Sequence, residues 1–188
     1  YNNAASGARA LQANTTGYSN TASGYLALYL NTTGYHNTAS GTEALRYNTT
    51  GTDNTANGHY ALRQNTTGVK NTASGKGALD ANTTGNQNTA DGHYSLFSNT
   101  TGDDNTANGK HSLYTNITGS KNTASGMYTL FRSTGDRNTA SGQKAAYNNT
   151  TGSNITATGN IALFGNTTGS NNTGSGYYAN GSSGTVSN

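Results

Sequence analysis

The sequence contains no cysteine, which excludes a disulfide framework and a thiolate metal site. Hydrophobic residues make up only 30% of the chain and charged residues 9%, so the core of an ordinary globular domain is not expected. No apolar run approaches the roughly 18 residues that cross a bilayer, and there is no basic-then-apolar leader. We therefore expect no membrane insertion.

Long runs of one charge are also absent. Ten Lys and Arg residues are scattered among seven acidic residues, which gives a net charge of +3. No basic patch could contact successive phosphates, so nucleic acid is not an expected partner. Low hydrophobicity often signals disorder, but disordered chains usually have high net charge and few aromatic residues. The 13 Tyr residues and a strict repeat favour an ordered chain.

The dominant feature is a 17-residue repeat, which reads N-T-T-G-Y-H-N-T-A-S-G-T-E-A-L-R-Y from Asn31 to Tyr47. We call each repeat a coil and number its positions from the first Asn, so Asn31 is at position 1. One residue is missing where Ser133-Thr134-Gly135 replaces N-T-T-G. Gly recurs at positions 4 and 11, which predicts two turns with strands of about five or six residues between them. The repeat predicts an all-β fold, a parallel β-solenoid (β-roll) of about ten to eleven coils.

Residues at one position in successive coils form a column. Position 15 is predicted to form the core column, which consists of Leu11, Leu28, Leu45, Leu62, Leu79, Leu96, Leu113, Leu130 and Leu163. Position 1 is predicted to form a ladder of amide hydrogen bonds, as in cross-β arrays, from Asn14, Asn31, Asn48, Asn65, Asn82, Asn99, Asn116, Asn149 and Asn166. These Asn residues also start N-x-T sequons, and an internal ladder would keep them from carrying sugar. At the missing residue, this ladder is expected to break.

Charged residues indicate which positions face water, because buried charge is costly. They fall at positions 5, 6, 12, 13, 16 and 17, and Asp91 at position 10 is the exception. Those six positions are therefore predicted to face outward, and the other eleven to form the inner wall and its turns.

An aromatic residue occupies position 16 in five consecutive coils. This aromatic stripe consists of Phe97, Tyr114, Phe131, Tyr147 and Phe164. An exposed stripe would suit a subunit or lateral filament contact, or a glycan ligand. The alternative is that position 16 turns inward in these coils and the rings stack as core.

Catalytic and metal-binding groups do not converge on one place in the repeat. His36, His59, His93 and His111 occupy outward positions in different coils, and Asp103-Asp104 is the only acidic pair. A Ca²⁺ site needs six or more oxygen ligands. We expect no catalytic residues, no metal site, no cofactor and no enzymatic activity.

The unit Gly17-Tyr18-Ser19-Asn20-Thr21-Ala22-Ser23-Gly24 resembles the G-x-x-S-x-A-x-G repeat of trimeric autotransporter adhesin heads. The whole N-T-T-G-x-x-N-T-A-S-G-x-x-A-L coil is similar to repeat arrays in tail-fibre-like proteins of phages and bacteria. The resemblance implies a left-handed parallel roll, often trimeric, that displays a binding surface or acts as a spacer. It also implies an extracellular, cell-surface or virion-fibre location.

The main hypothesis is a structural or adhesive fibre subunit whose partners are copies of itself, in a head-to-tail filament or a trimer, and host or surface glycans. Residues 1–179 would form the solenoid, and the Gly/Ser-rich residues 180–188 could add a strand to a neighbouring molecule. One alternative is an ice-binding solenoid with a regular Thr rank, for which position 2 supplies Thr15, Thr32, Thr49, Thr66, Thr83 and Thr100. A second is a glycan-binding tail-fibre shaft.

Overall fold

The computed structural model describes residues 2–179, which form a single parallel β-solenoid. Its eleven strands lie in one sheet in sequence order. They are β1 (Ala4–Ser6), β2 (Thr21–Ser23), β3 (Thr38–Ser40), β4 (Thr55–Asn57), β5 (Thr72–Ser74), β6 (Thr89–Asp91), β7 (Thr106–Asn108), β8 (Thr123–Ser125), β9 (Thr139–Ser141), β10 (Thr156–Thr158) and β11 (Thr173–Ser175). The predicted fold class is confirmed. The predicted tail, residues 180–188, lies outside the described residues.

Equivalent residues of neighbouring coils pair with each other. Thr21 pairs with Thr38 and Ala22 with Ala39, an offset of one full repeat. Across the shortened coil, Ala124 of β8 still pairs with Ala140 of β9. The coil with the missing residue therefore tightens elsewhere and keeps its strand in place.

The strands are shorter than expected, with three residues in each coil. The prediction of strands of five or six residues between two glycine turns is wrong, because each coil bends at further residues that are not glycine. In one coil, His36, Glu43 and Leu45 have φ angles of 56°, 57° and 51°, at positions 6, 13 and 15. A left-handed residue of this kind costs on the order of 1–2 kcal/mol. Backbone hydrogen bonds between coils offset this cost, such as Leu28 N–H to Ala44 O at 3.0 Å.

The two glycine columns have different physical reasons. At position 11, Gly41 has φ 137°, a conformation essentially closed to residues with a side chain. At position 4, Gly51 does not have a left-handed φ, so the predicted backbone reason does not hold there. A Cβ on Gly51 would lie 2.5 Å from the carbonyl oxygen of Gly68 in the next coil. Position 4 therefore requires Gly because the coils approach too closely for a side chain.

The core is thin and runs along the whole solenoid. Leu28 through Leu130 and Leu163 at position 15 are completely buried, whereas Leu11 in the first coil is partly buried. The Ala column at position 9 packs beside them in the same cluster. From β2 to β11 the central residue of each strand is buried and its two neighbours are exposed, apart from Ser74, which is partly buried. In β1 all three residues are exposed. Each coil thus contributes one large apolar side chain and a few small ones, except the shortened coil, where Ala146 takes the place of Leu.

Two predictions about inside and outside are wrong. Positions 8 and 10, expected in the wall, point to solvent on either side of the buried Ala, as Thr38 and Ser40 do. Asp80, at position 16, is only 5% exposed although that position was expected to face water. It is buried because Arg63 of the preceding coil covers it with a two-point ion pair.

Candidate functional surfaces

The Asn side chains of position 1 are hydrogen-bonded from coil to coil. Asn65 Nδ2 donates to Asn48 Oδ1 at 2.8 Å and to the Gly68 carbonyl of its own coil at 3.0 Å. Asn82 Nδ2 in turn donates to Asn65 Oδ1 at 2.8 Å. The Asn residues of this ladder from Asn31 onward are completely buried, and Asn14 is partly buried. Attached sugar would not fit at the buried amides.

A second Asn column, at position 7, reinforces the first. Asn54 Nδ2 donates to Gly68 O of the next coil at 2.8 Å, so this carbonyl accepts from both columns. The backbone N–H of Asn54 donates to Asn37 Oδ1 at 3.1 Å. The invariant glycine of position 4 is therefore where two amide columns meet, which explains both its close packing and its identity.

The position-1 ladder changes at the shortened coil. Ser133 occupies position 1 there, and its Oγ accepts from Asn149 Nδ2 at 3.1 Å. Asn116 Oδ1, on the other side of Ser133, is buried without a partner. Ser133 is too short to bridge both neighbours, so the amide ladder is interrupted between Asn116 and Asn149.

The aromatic stripe forms a stack of nearly parallel rings. Neighbouring ring centroids lie 5.0–5.4 Å apart, with interplanar angles between 5° and 15°. All five side chains are half-buried. The stripe is neither core nor fully exposed, because each ring covers the faces of its neighbours and leaves its edges at the surface.

A second aromatic column runs beside the stripe at position 13. Tyr94 packs edge-on against Phe97 with centroids 5.1 Å apart, and Tyr128 packs similarly against Phe131 at 5.5 Å. His111 lies between Tyr94 and Tyr128, within 5.8 Å of both rings. The two columns together make a ridged apolar surface, which we call the aromatic strip.

Cations border the aromatic strip. The Arg132 guanidinium lies 5.8 Å from the centroid of Tyr147, and Lys76 Nζ lies 6.0 Å from that of Tyr94. Burial and the neighbouring Lys110 and His93 lower the pKa of His111 below 6.5. His111 Nδ1 is also buried without a hydrogen-bond partner. His111 is therefore neutral near pH 7 and behaves as part of the aromatic strip.

Burial also shifts the pKa of the Asp80 carboxylate, which Arg63 covers. Desolvation raises the pKa of Asp80 above 3.8, although Arg63 acts in the opposite direction. The Arg63 Nε to Asp80 Oδ1 distance is 2.9 Å. We assign this pair a structural part in joining two coils.

The remaining ionisable residues form no metal centre. Among residues 2–179, no group of three or more His, Asp or Glu side chains could hold a metal ion. Asp103 Oδ1 accepts the backbone N–H of Asn86, and Asp104 Oδ1 accepts a hydrogen bond from Gln87 Nε2, so the acidic pair serves coil stacking. His36 contacts Asp53 at 3.3 Å on the exposed surface.

An open cavity of about 330 Å³ lies at the shortened coil. Its lining consists of Thr118, Ser120, Lys121, Asp136 and Arg137. Asp136 Oδ1 accepts the Ser120 backbone N–H at 2.8 Å, which holds the two coils together beside the missing residue. The cavity lies beside the omitted position 3.

The outward residues of the strands form a surface that sequence reasoning missed, and we call it the sheet face. Its position-8 rank consists of Thr21, Thr38, Thr55, Thr72, Thr89, Thr106, Thr123, Thr139, Thr156 and Thr173. Its position-10 rank consists of Ser6, Ser23, Ser40, Asn57, Ser74, Asp91, Asn108, Ser125, Ser141, Thr158 and Ser175. The alternation in T-A-S was the available signal, but three residues are too few for a period of two to be recognised.

The Thr rank expected at position 2 is committed to the fold. Thr49 Oγ1 donates to the Thr66 carbonyl at 3.0 Å, and the same bond recurs along the column. Most of these side chains are half-buried. Their hydroxyl groups tie one coil to the next and are not free to donate to a ligand.

No protein-family model, curated protein or solved structure matches the chain. The resemblance to adhesin heads and tail fibres stays a prediction from the repeat motifs. Within the part of the chain that the structure describes, no helix has the length and apolar character needed to cross a bilayer.

Proposed function

We propose that this chain is a structural segment of an extracellular fibre, with copies of itself as its main partners. The observation that carries the proposal is the pair of buried amide ladders, which join most successive coils by the same bonds and are interrupted near the shortened coil. Such an interface can be repeated without limit, as in other solenoids. Length is then added by adding coils, which is what a spacer or shaft requires.

The dimensions fit this role. Eleven strands in one sheet, spaced by about 4.8 Å each, give a rod roughly 50 Å long. The charged and aromatic surface residues are spread along the rod. The buried polar side chains form hydrogen bonds between coils. The repeat motifs, which resemble those of adhesin heads and tail fibres, support the extracellular or virion-surface location.

The two outer strands offer a route to end-to-end growth. Among the described residues, β1 pairs only with β2 and β11 only with β10, so each has one free edge. Another coil, from the same chain or from a second copy, would continue the ladders there. Such a head-to-tail contact does not close on itself and extends into a filament.

The aromatic strip offers a lateral contact between rods. Its rings present a continuous row of edges from Phe97 to Phe164, and these residues are only partly buried in a single rod. A second copy that packs its own strip there would bury apolar area that a single rod leaves in water. A trimer around this strip and a bundle of filaments are both consistent with it.

The test combines electron microscopy with solution sizing of the full chain over a range of concentrations. We expect rods that associate into filaments or a discrete oligomer, with the end-to-end and lateral modes distinguished by images. Phe131→Ser should weaken the lateral mode. The matched control is Tyr35→Ser, which removes a ring from the Tyr18–Tyr35 stack on another part of the surface.

A compact monomer that persists at high concentration would contradict the fibre proposal. Equal effects of Phe131→Ser and Tyr35→Ser on association would show that the aromatic strip is not the lateral contact.

A further inference from the structure

The sheet face is exposed yet nearly constant from coil to coil. Position 8 is Thr in every strand from β2 to β11, and it is exposed in all of them. Other outward positions vary freely: position 6 carries Ser19, His36, Asp53 and Lys70 in four successive coils. Exposure alone therefore does not explain the constant Thr, and the fibre role does not require it.

The hydroxyl groups of the sheet face are free. Among residues 2–179, no Thr or Ser side chain of positions 8 and 10 makes a hydrogen bond within the protein. This contrasts with position 2, where Thr49 Oγ1 is bonded to the Thr66 carbonyl. Solvent is the only partner for the sheet-face hydroxyls in a single rod.

These free hydroxyls form a regular two-dimensional net. Neighbouring strands are about 4.8 Å apart, and residues at positions 8 and 10 are about 6.6–6.8 Å apart along a strand. Thr is branched at Cβ and has few allowed χ1 rotamers, so its hydroxyl and methyl groups hold fixed places. The buried Ala at the centre of each strand from β2 to β10 anchors the net from below. The spacing between neighbouring strands is close to the oxygen repeat along the a axis of hexagonal ice.

The face is also free of bulky side chains. Its largest residues are Asn57 and Asn108, and Asp91 carries its single charge. From β8 to β11, position 10 is Ser or Thr in every strand. This four-strand area is the most regular part of the sheet face and has no charge.

We infer that the sheet face binds the surface of ice, with the Thr rank at position 8 as the principal contact. The Thr hydroxyls and methyls order the first water layer into the lattice, and the matching spacing between strands allows that layer to join the crystal. The position-10 rank orders water less strongly, because Ser lacks the branched Cβ that would fix its hydroxyl. This activity is separate from filament assembly, which uses the coil edges and the aromatic strip.

The experiment measures thermal hysteresis and the shape of single ice crystals with the full chain, together with solution sizing of the same samples. We expect faceted crystals and a measurable freezing gap at micromolar protein. Thr156→Tyr places a ring on the regular area of the face and should lower the hysteresis several-fold. Thr151→Tyr is the matched control, because it adds the same ring to an exposed position-3 Thr of the same coil.

Gain-of-function variants make the test independent of folding losses. Asp91→Ser removes the charge from the face and should raise the hysteresis several-fold. Ser141→Thr should raise it by fixing a position-10 hydroxyl. Absence of faceting in the natural chain and in Asp91→Ser would overturn the inference, as would equal losses in Thr156→Tyr and Thr151→Tyr. Solution sizing measures assembly independently of thermal hysteresis, so the fibre proposal and the ice-binding inference can each fail without the other.

Discussion

Replacement of one buried ladder Asn tests what holds the coils together. Asn65 is completely buried and makes three side-chain hydrogen bonds: to Asn48 Oδ1, to Gly68 O and from Asn82 Nδ2. In Asn65→Ala, Gly68 O and Asn82 Nδ2 each keep another partner. Asn48 Oδ1 loses its partner and stays buried.

The magnitude follows from that difference. An unsatisfied buried acceptor costs about 1–3 kcal/mol, and each hydrogen bond lost between otherwise satisfied groups costs less. Asn65→Ala should therefore lower the free energy of unfolding by about 3 kcal/mol. For a chain of this size, such a loss lowers Tm by roughly 6–12 °C. Thermal and urea unfolding, followed by circular dichroism, measure both quantities.

The matched control replaces another Asn of the same ladder, one whose own side-chain oxygen already lacks a hydrogen-bond donor. Asn116→Ala leaves Asn99 Oδ1 without its hydrogen-bond donor, which costs stability. The same change removes Asn116 Oδ1, which is already buried without a partner, so the cost and the gain largely cancel. Its destabilisation should be at most half that of Asn65→Ala. A loss below about 1 kcal/mol in Asn65→Ala, or equal losses in the two variants, would refute the role given to the amide ladder.

Three further predictions concern single coils. Gly51→Ala should destabilise far more than Thr50→Ala in the same turn, because its Cβ would collide with the next coil; thermal unfolding of both variants measures the difference. Ser133→Asn combined with one Thr inserted after Thr134 should raise Tm, because it restores a full coil and supplies the partner that the amide ladder lacks there. His111→Tyr should reduce the loss of stability on acidification, measured as Tm against pH.

The sign of the His111 effect follows from its lowered pKa. Its neutral form is favoured in the folded state, so this contribution is complete above pH 6.5 and is lost as the pH falls from 6.5 through the folded-state pKa. The natural chain should thus lose stability over that window, and His111→Tyr should lose less. An unchanged pH profile would contradict the assignment. For the other two predictions, the contrary results are equal Tm values for Gly51→Ala and Thr50→Ala, and a lower Tm after the insertion.

The 17-residue period predicted the fold because the regular spacing of Gly and Leu residues is sufficient to indicate a solenoid. A repeat of nearly constant length with two Gly columns and one Leu column admits few arrangements. A parallel solenoid with stacked Leu side chains satisfies all of these constraints. The buried Asn side chains were predictable for a similar reason, since an amide both donates and accepts and can bond its own copy one coil away. The handedness predicted from the resemblance stays a prediction.

The turns were harder to predict. Leu45 and its equivalents adopt left-handed φ, and nothing about Leu signals a conformation that it usually avoids. The coil-to-coil bonds impose it, and these depend on the whole fold. Similarly, Gly51 reads like a turn glycine, whereas its role is to let two backbones approach.

The sheet face was missed because charge was used to identify outward positions. That reasoning finds only the surfaces that tolerate charge. A surface that excludes charged and bulky groups is indistinguishable from a wall of the interior when its residues are Thr and Ser. Asp91 was the one indication, since a charged side chain at position 10 is incompatible with an inward-facing column.

The composition of the interior has a consequence for the temperature dependence of stability. Exposure of apolar surface raises the heat capacity on unfolding, and exposure of polar surface lowers it. Most coils bury one Leu and a few Ala residues, together with two amide side chains, so the polar share is unusually large. The heat-capacity change should therefore fall below the usual value of about 12–15 cal/mol/K per residue. A small change flattens the stability curve and moves cold destabilisation to lower temperature, as binding to ice would require. Differential scanning calorimetry at several pH values measures this quantity, and a value in the usual range would show that burial of apolar surface, rather than the amide ladders, dominates the stability of the rod.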